Sequence, residues 1–199
     1  MKLEDNFRKA GGEFREFKIG DLFTQYRGKE KAPNQNEVGD SQLINETSTN
    51  NGWTRLVTPT KIFKGNAITI SINYAKTVFY QPKDFCASVN ISILRNDKIL
   101  NRYSGLYIAT LLSKSNERYS YTTKTSKDKI NNTTILLPAK KDGSLALDYM
   151  EAYIKTIELE KSRAIEAYLE SIGLKNYELS EEEKEALDLL SRARNGGGS

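Results

Sequence analysis

Histidine is absent from all 199 residues, and cysteine occurs once, at Cys86. Without an imidazole the chain has neither Ser-His-Asp nor Cys-His activation of a nucleophile. Zinc sites that use histidine are excluded, and one thiol cannot build a thiolate site. An intramolecular disulfide is excluded for the same reason. Cys86 sits in the apolar stretch Phe85-Cys86-Ala87, where a small buried side chain is expected. Neither GxGxxG nor GxxxxGK[ST] occurs, so the chain has no glycine-rich phosphate cradle. No apolar run approaches the roughly 20 residues that span a bilayer. The first residues, MKLEDNFRKAGGEFREF, contain no apolar export signal. A cytoplasmic location is the expectation. Carboxylate-only metal sites and lysine bases remain, but residues 14–146 hold no clustered acidic motif for a nuclease. The chain is expected to be non-catalytic, with no metal and no cofactor of its own.

Charge is abundant and unevenly placed. Residues 1–146 carry 23 Lys+Arg against 14 Asp+Glu, a balance of +9, whereas residues 147–199 carry 7 against 12, a balance of −5. Such asymmetry points to nucleic acid on the basic side. The hydrophobic period changes at the same place. Two domains are therefore expected: 1–146, and a helical region 147–195. Gly196-Gly197-Gly198-Ser199 reads as an appended flexible linker.

Residues 1–13 are polar and read as a frayed end or short arm. Phe14, Phe17 and Ile19 suit an extended opening, and Ile19, Leu22, Phe23 and Tyr26 suit a helical turn. Strands are predicted at 67–72, 78–80 and 89–94, where β-branched and aromatic residues concentrate. Another is predicted at 133–137, stopped by Pro138. Tyr103, Leu106, Tyr107, Thr110 and Leu111 form the buried stripe of a helix over 101–113. Leu147, Met150, Ile154, Ile157, Lys161, Ala164 and Tyr168 follow alternating three- and four-residue spacing. That is a heptad seam for pairing with a partner helix, in this chain or another. Lys161 either sets register or snorkels to the edge. Gly173 stops this helix. Ser180 with Glu183 is a capping box for a last helix, whose inner face is Leu187 and Leu190.

The basic half gathers polar loops at 27–33, 45–55, 71–77 and 116–129. Candidate DNA-contacting residues are Arg27, Lys29 and Lys31 in the first, and Ser48, Thr49, Asn50, Asn51 and Trp53 in the second. The third supplies Asn73, Tyr74 and Lys76. The fourth supplies Tyr119, Tyr121, Lys124, Thr125, Lys127 and Lys129. Lysine and arginine neutralise phosphates, while hydroxyl and amide side chains bond phosphates and base edges. Arginine can address guanine, and asparagine adenine. A plain solvated surface is the competing interpretation of the same composition.

The order of these segments resembles the DNA-specificity (S) subunit of type I restriction–modification systems and its relatives in type IIB-like enzymes. The resemblance rests on Phe17-Lys18-Ile19-Gly20-Asp21-Leu22-Phe23 followed by Arg27-Gly28-Lys29, and on the Thr47 to Gly52 loop. Ile70-Ser71-Ile72-Asn73, Val78-Phe79-Tyr80-Gln81-Pro82 and Phe85-Cys86-Ala87-Ser88 continue it. Strand 89–94, the stretch from Tyr119 to Lys129, Leu137-Pro138, helix 148–172 and the tail Leu174 to Leu179 complete it. It covers roughly residues 14–190.

The resemblance implies an α/β (α+β) target recognition domain with a mixed, mainly β core and short helices. A long coiled-coil-type helix and a short C-terminal helix would follow. It further implies double-stranded DNA and modification (methyltransferase) subunits as partners, together with a restriction (nuclease) subunit. S-adenosylmethionine would sit on the modification subunit. The family usually carries two recognition domains and two spacer helices. This chain has one of each, so a homodimer through the long helix is expected. The polar loops match no family pattern residue by residue, so base contacts are not transferred. The alternative is a protein–protein adaptor or regulatory, antirestriction factor with a basic surface and a helical arm.

Overall fold

The computed structural model describes residues 2–73, 77–116, 126–174, 180–182 and 184–185. It divides into a unit of residues 1–155 and a unit of residues 156–199. In the first unit, α1 (Lys2–Lys9) leads to β1 (Glu13–Lys18), α2 (Ile19–Leu22) and β2 (Thr24–Arg27). Six strands follow: β3 (Ser41–Ile44), β4 (Trp53–Val57), β5 (Ala67–Ser71), β6 (Val78–Gln81), β7 (Cys86–Ala87) and β8 (Ile91–Arg95). Then come α3 (Arg102–Asn116), α4 (Lys127–Asn132), β9 (Thr134–Ala139) and α5 (Leu147–Ser171).

The strands form three sheets: β1–β9, the four-stranded antiparallel β2–β8–β5–β6, and β4–β3–β7 with β3 and β7 parallel. The mixed sheet core with short helices and a long helix matches the expected fold class. The predicted strands at 67–72 and 78–80 are β5 and β6. Strand 89–94 starts two residues later, because Val89 and Asn90 turn.

Alternation in 67–72 predicts one wet face, yet every residue of β5 is buried. Its polar residues lie against the fold and are bonded there. Thr69 Oγ1 donates to Phe79 O at 3.3 Å, and Ser71 Oγ donates to Glu46 Oε1 at 3.0 Å. Pro138 does not end β9. Its carbonyl accepts from Ala146 N at 2.9 Å, so the residue's backbone edge faces away from β1 and no ladder donor is lost.

The largest core joins Ile19, Ile68, Leu94, Ile108, Leu112, Leu137 and Met150. Each such side chain contributes about 1.5–3 kcal/mol by leaving water. The buried side of α3 is Ser104, Gly105, Tyr107, Ile108, Ala109 and Leu112, whereas Thr110 of the predicted stripe is exposed. Gly105 turns the helix this way. A Cβ there would lie 2.3 Å from Tyr80 Cδ2, so only glycine lets the ring sit on the helix backbone. Burial raises the Tyr80 hydroxyl pKa, with Arg102 acting in the opposite sense.

Two expectations about the ends need correction. Residues 2–9 are not frayed: they form a helix whose Leu3 and Phe7 pack on the core, with Phe7 centred 4.3 Å from Tyr149. The heptad seam is filled from within at its start. Met150 is fully buried, and Leu147 and Ile154 pack on the same core. The cause is that heptad spacing serves an intrachain contact as well as a partner helix. These three residues are therefore core rather than dimer contacts, and the first two turns of α5 belong with the globular unit.

In the second unit Ile157, Lys161, Ala164, Ile165 and Tyr168 are exposed. The helix ends before Gly173, as expected. The last predicted helix, with Leu187 and Leu190, lies almost wholly outside the described residues. No helix among them is long and apolar enough to cross a membrane.

Candidate nucleic-acid interface

Three of the four polar loops meet at one carboxylate. Glu46 Oε1 accepts from Ser71 Oγ at 3.0 Å and from Asn73 N at 3.3 Å, and its Oε2 accepts from Asn90 Nδ2 at 2.9 Å. This draws loop 45–52 to the end of β5 and to the turn at 89–90. Ile72 N bonds to Asn90 O, and Ser88 N bonds to Ile44 O, so the backbone closes around the same point.

The 27–31 loop joins through main-chain contacts. Arg27 Nε donates to Val89 O at 2.6 Å, Glu30 N donates to Ala87 O, and Val89 N donates to Glu30 O. Gly28 makes the approach feasible, because a Cβ there would fall 2.0 Å from Ser88 O. Glu30 is buried, and its Oε1 accepts from Thr60 N and Lys61 N, both at 2.9 Å. Burying this carboxylate places Lys29 and Lys31 on the exposed side of the loop. The alternating Lys-Glu-Lys thus has two cations outside and one anchor inside.

Asn51 also works inward. Its φ of 53° is left-handed, a conformation that asparagine tolerates. Its Nδ2 donates to Tyr80 O at 3.0 Å and to Gln81 Oε1 at 3.1 Å, and Gln81 Nε2 returns a bond to Asn51 O at 2.9 Å. The amide expected to read a base is occupied by the fold. Trp53 is 36% exposed, with Nε1 donating to Arg55 O at 3.2 Å. Ser48, Thr49, Asn50 and Asn73 are exposed around this centre.

Lys127 and Lys129 are not in a loop. They lie exposed on α4, capped by Ser126, whose Oγ accepts from Lys129 N at 3.2 Å. Ile19 N bonds to Thr133 O just beyond that helix, so α4 belongs to the β1–α2 side and not to the Glu46 cluster. Tyr74, Lys76, Tyr119, Tyr121, Lys124 and Thr125 lie outside the described residues. Sequence reading missed Glu46, Asn90 and the inward Glu30. Isolated acids and amides in polar loops carry no signal of their partners 25 to 44 residues away.

The cluster presents cations, hydroxyls, amides and an indole on a backbone fixed from below. That donor set suits phosphate oxygens and base edges. Among the described residues, no group of three His, Cys, Asp or Glu is placed to hold a metal ion. Burial, and secondarily the Glu30 carboxylate, push the Cys86 thiol up to about 12, so it is no nucleophile near neutral pH.

Comparison with known proteins agrees with this arrangement. Residues 12–170 match the family of the type I restriction modification DNA specificity domain. The specificity subunit S.BcgI of a type II restriction enzyme from Heyndrickxia coagulans is 26% identical over 148 residues, which are 72% of this chain and 43% of that protein. The fold is similar to a type I S subunit from M. genitalium, with TM-score 0.55 and 16% identity over 90% of this chain and 49% of that one. It is also similar to the HsdS subunit from Thermoanaerobacter tengcongensis, with TM-score 0.54 and 15% identity over 84% of this chain and 46% of that one. The chain thus spans less than half the length of each of these relatives.

Proposed function

The chain belongs to the family of type I restriction modification DNA specificity domains, and on that premise we propose that it reads one half of a DNA target for a restriction–modification complex. The observation that carries this reading is the Glu46-centred cluster, which sets exposed Lys29, Lys31, Ser48, Thr49, Asn50 and Asn73 on one pinned backbone. Cations there neutralise phosphates, and the amides and hydroxyls address base edges in the major groove.

Two copies pair, antiparallel, through the exposed face of α5 from Ile157 through Lys161, Ala164 and Tyr168. A two-fold protein then selects an inverted repeat split by a fixed spacer. Separate modification subunits bind this scaffold and methylate adenine with S-adenosylmethionine after flipping the base out of the helix. A nuclease subunit acts on the same assembly. This chain supplies the address and its partners supply the chemistry.

The test is duplex binding by the full chain with its modification subunit across a salt series, followed by methylome sequencing of cells that express both. A steep salt dependence plus sequence preference is expected. Weak binding without preference would overturn the reading in favour of an adaptor. For the pairing, Ile157→Asp with Ile165→Asp should give a monomer in sedimentation without shifting the melting of the globular unit. A dimer that persists would end the spacer idea.

A further inference from the structure

We propose that a second, cationic groove grips the phosphodiester backbone of duplex DNA beside the bases that the loops read, adding affinity without adding sequence preference. The proposal rests on the DNA reading above. The groove is open, holds about 720 Å³, and is lined by β2, by residues 61–64 and by residues 95–98. Lys61, Lys64, Arg95 and Lys98 stand around it against one lining carboxylate, Asp97, with Tyr26 on its wall.

The cations fall into two kinds. Arg95 is held by Asp97 at 2.8 Å, and Lys64 by Asp84 at 2.8 Å. Hydrogen bonds from Lys64 and from the Gly65 N–H hold the Asp84 carboxyl below its ordinary range, so Lys64 stays paired at neutral pH. Lys61 and Lys98 have no carboxylate within ion-pair distance among the described residues. Lys61 Nζ rests over the Phe63 ring at 5.1 Å, which positions the charge without neutralising it. Four cations converging on an open trough, two of them uncompensated, attract a polyanion.

The groove has no free base reader. Asn96, an amide on its rim, donates from Nδ2 to Leu22 O at 2.7 Å and accepts at Oδ1 from Lys98 N at 3.0 Å. What remains is charge, which binds phosphate whatever the sequence. The groove is also joined to the reading loops. Buried Glu30 holds the Lys61 backbone on one side and sits between Lys29 and Lys31 on the other. Along the β2–β8 pair, Thr24↔Arg95 marks the groove end and Arg27↔Ser92 the loop end. Three residues of strand span about 10 Å, the rise of about three base pairs, so one duplex reaches both.

The experiment uses the full chain in complex with its modification subunit and a fluorescent duplex, with and without the target, titrated from low to moderate salt. Lys61→Gln with Lys98→Gln removes the two uncompensated charges and touches no buried contact. Affinity for both duplexes should fall by a common factor, on the order of tenfold, and the slope of log K against log salt should flatten by about 2. The ratio of target to non-target affinity should stay as in wild type. Charge reversal, Lys61→Glu with Lys98→Glu, should deepen the loss. Unchanged affinity and slope in a wild-type complex that binds normally would overturn the groove alone, as would a loss confined to the target duplex. A wild-type complex that binds neither duplex would overturn the reading on which the groove rests, and the groove with it.

Discussion

Asn51→Ala separates a structural pin from a base reader. The substitution removes the donor to Tyr80 O and the donor to Gln81 Oε1. Each net hydrogen bond is worth about 1 kcal/mol. Alanine must also hold the left-handed φ of 53°, at about 1 kcal/mol or slightly more. The sum is about 3 kcal/mol, which lowers Tm by about 6–12 °C for a domain of this size. Asn51→Gly loses the bonds but keeps the backbone freedom, so it should fall between wild type and alanine. Asn51→Asp places acceptor against acceptor and should be at least as damaging as alanine. The single tryptophan, Trp53, lies two residues away and reports the transition by fluorescence. At a temperature where all variants remain folded, preference for target over non-target DNA should stay near wild type, because the amide never faces a base. A variant that melts like wild type but has lost its preference would refute this reasoning and return Asn51 to the readers.

Other perturbations reach other elements. Phe7→Ala removes the ring that lies 4.3 Å from Tyr149 and 5.9 Å from Phe14. For a half-buried phenylalanine we expect a loss of about 2–3 kcal/mol, read as a lower urea midpoint, and an unchanged midpoint would mean that α1 is a loose arm after all. Gly105→Ala gains about 1 kcal/mol of helix propensity but drives a methyl into the Tyr80 ring, and overpacking of about 1–3 kcal/mol should lower Tm; a higher Tm would contradict the close approach. Cys86 has its folded pKa raised from 9.0 to about 12. Its protonated thiol therefore contributes stability that is fully present below pH 9 and is lost as pH rises towards 12. Cys86→Ala should flatten the fall of stability above pH 9, and a thiol reagent at pH 8 should label Cys86 only in denaturant; rapid native labelling would show that the thiol is accessible.

The four-stranded sheet was legible because β5, β6 and β8 concentrate β-branched and aromatic residues between polar turns. The helices of 15 and 25 residues were legible by length and period. The partners of those periods were not. Met150 and Ile157 obey one heptad rule, yet the first is wholly buried in its own domain and the second is 37% exposed. The face of α3 was misjudged because Gly105 draws in Tyr80 from 25 residues away, a contact that no local pattern encodes. The N-terminal helix has only Leu3 and Phe7 to mark it, and their burial depends on Tyr149. At the site, sequence selected the right loops but not the division of labour within them. Lys61, Lys64, Arg95 and Lys98 escaped notice because they flank strands, and only the fold gathers them.

That division of labour explains how a DNA-reading surface can tolerate acids. An exposed carboxylate would repel phosphate at close range. Glu30 is buried and bonded by two backbone N–H groups, while both oxygens of Glu46 are taken by a serine, a backbone N–H and an amide. Their charge is directed into the fold, where it fixes loop geometry. Each bond that holds a loop still reduces the entropy lost when DNA binds. The positions above these anchors, Ser48, Asn50 and Asn73, are exposed and hold up no strand with their side chains. On the proposed function, new targets arise by substitution at that upper layer while Glu30, Glu46 and Asn51 keep the platform in place. Stability and specificity then reside in adjacent residues of the same loops, with little energetic coupling between them.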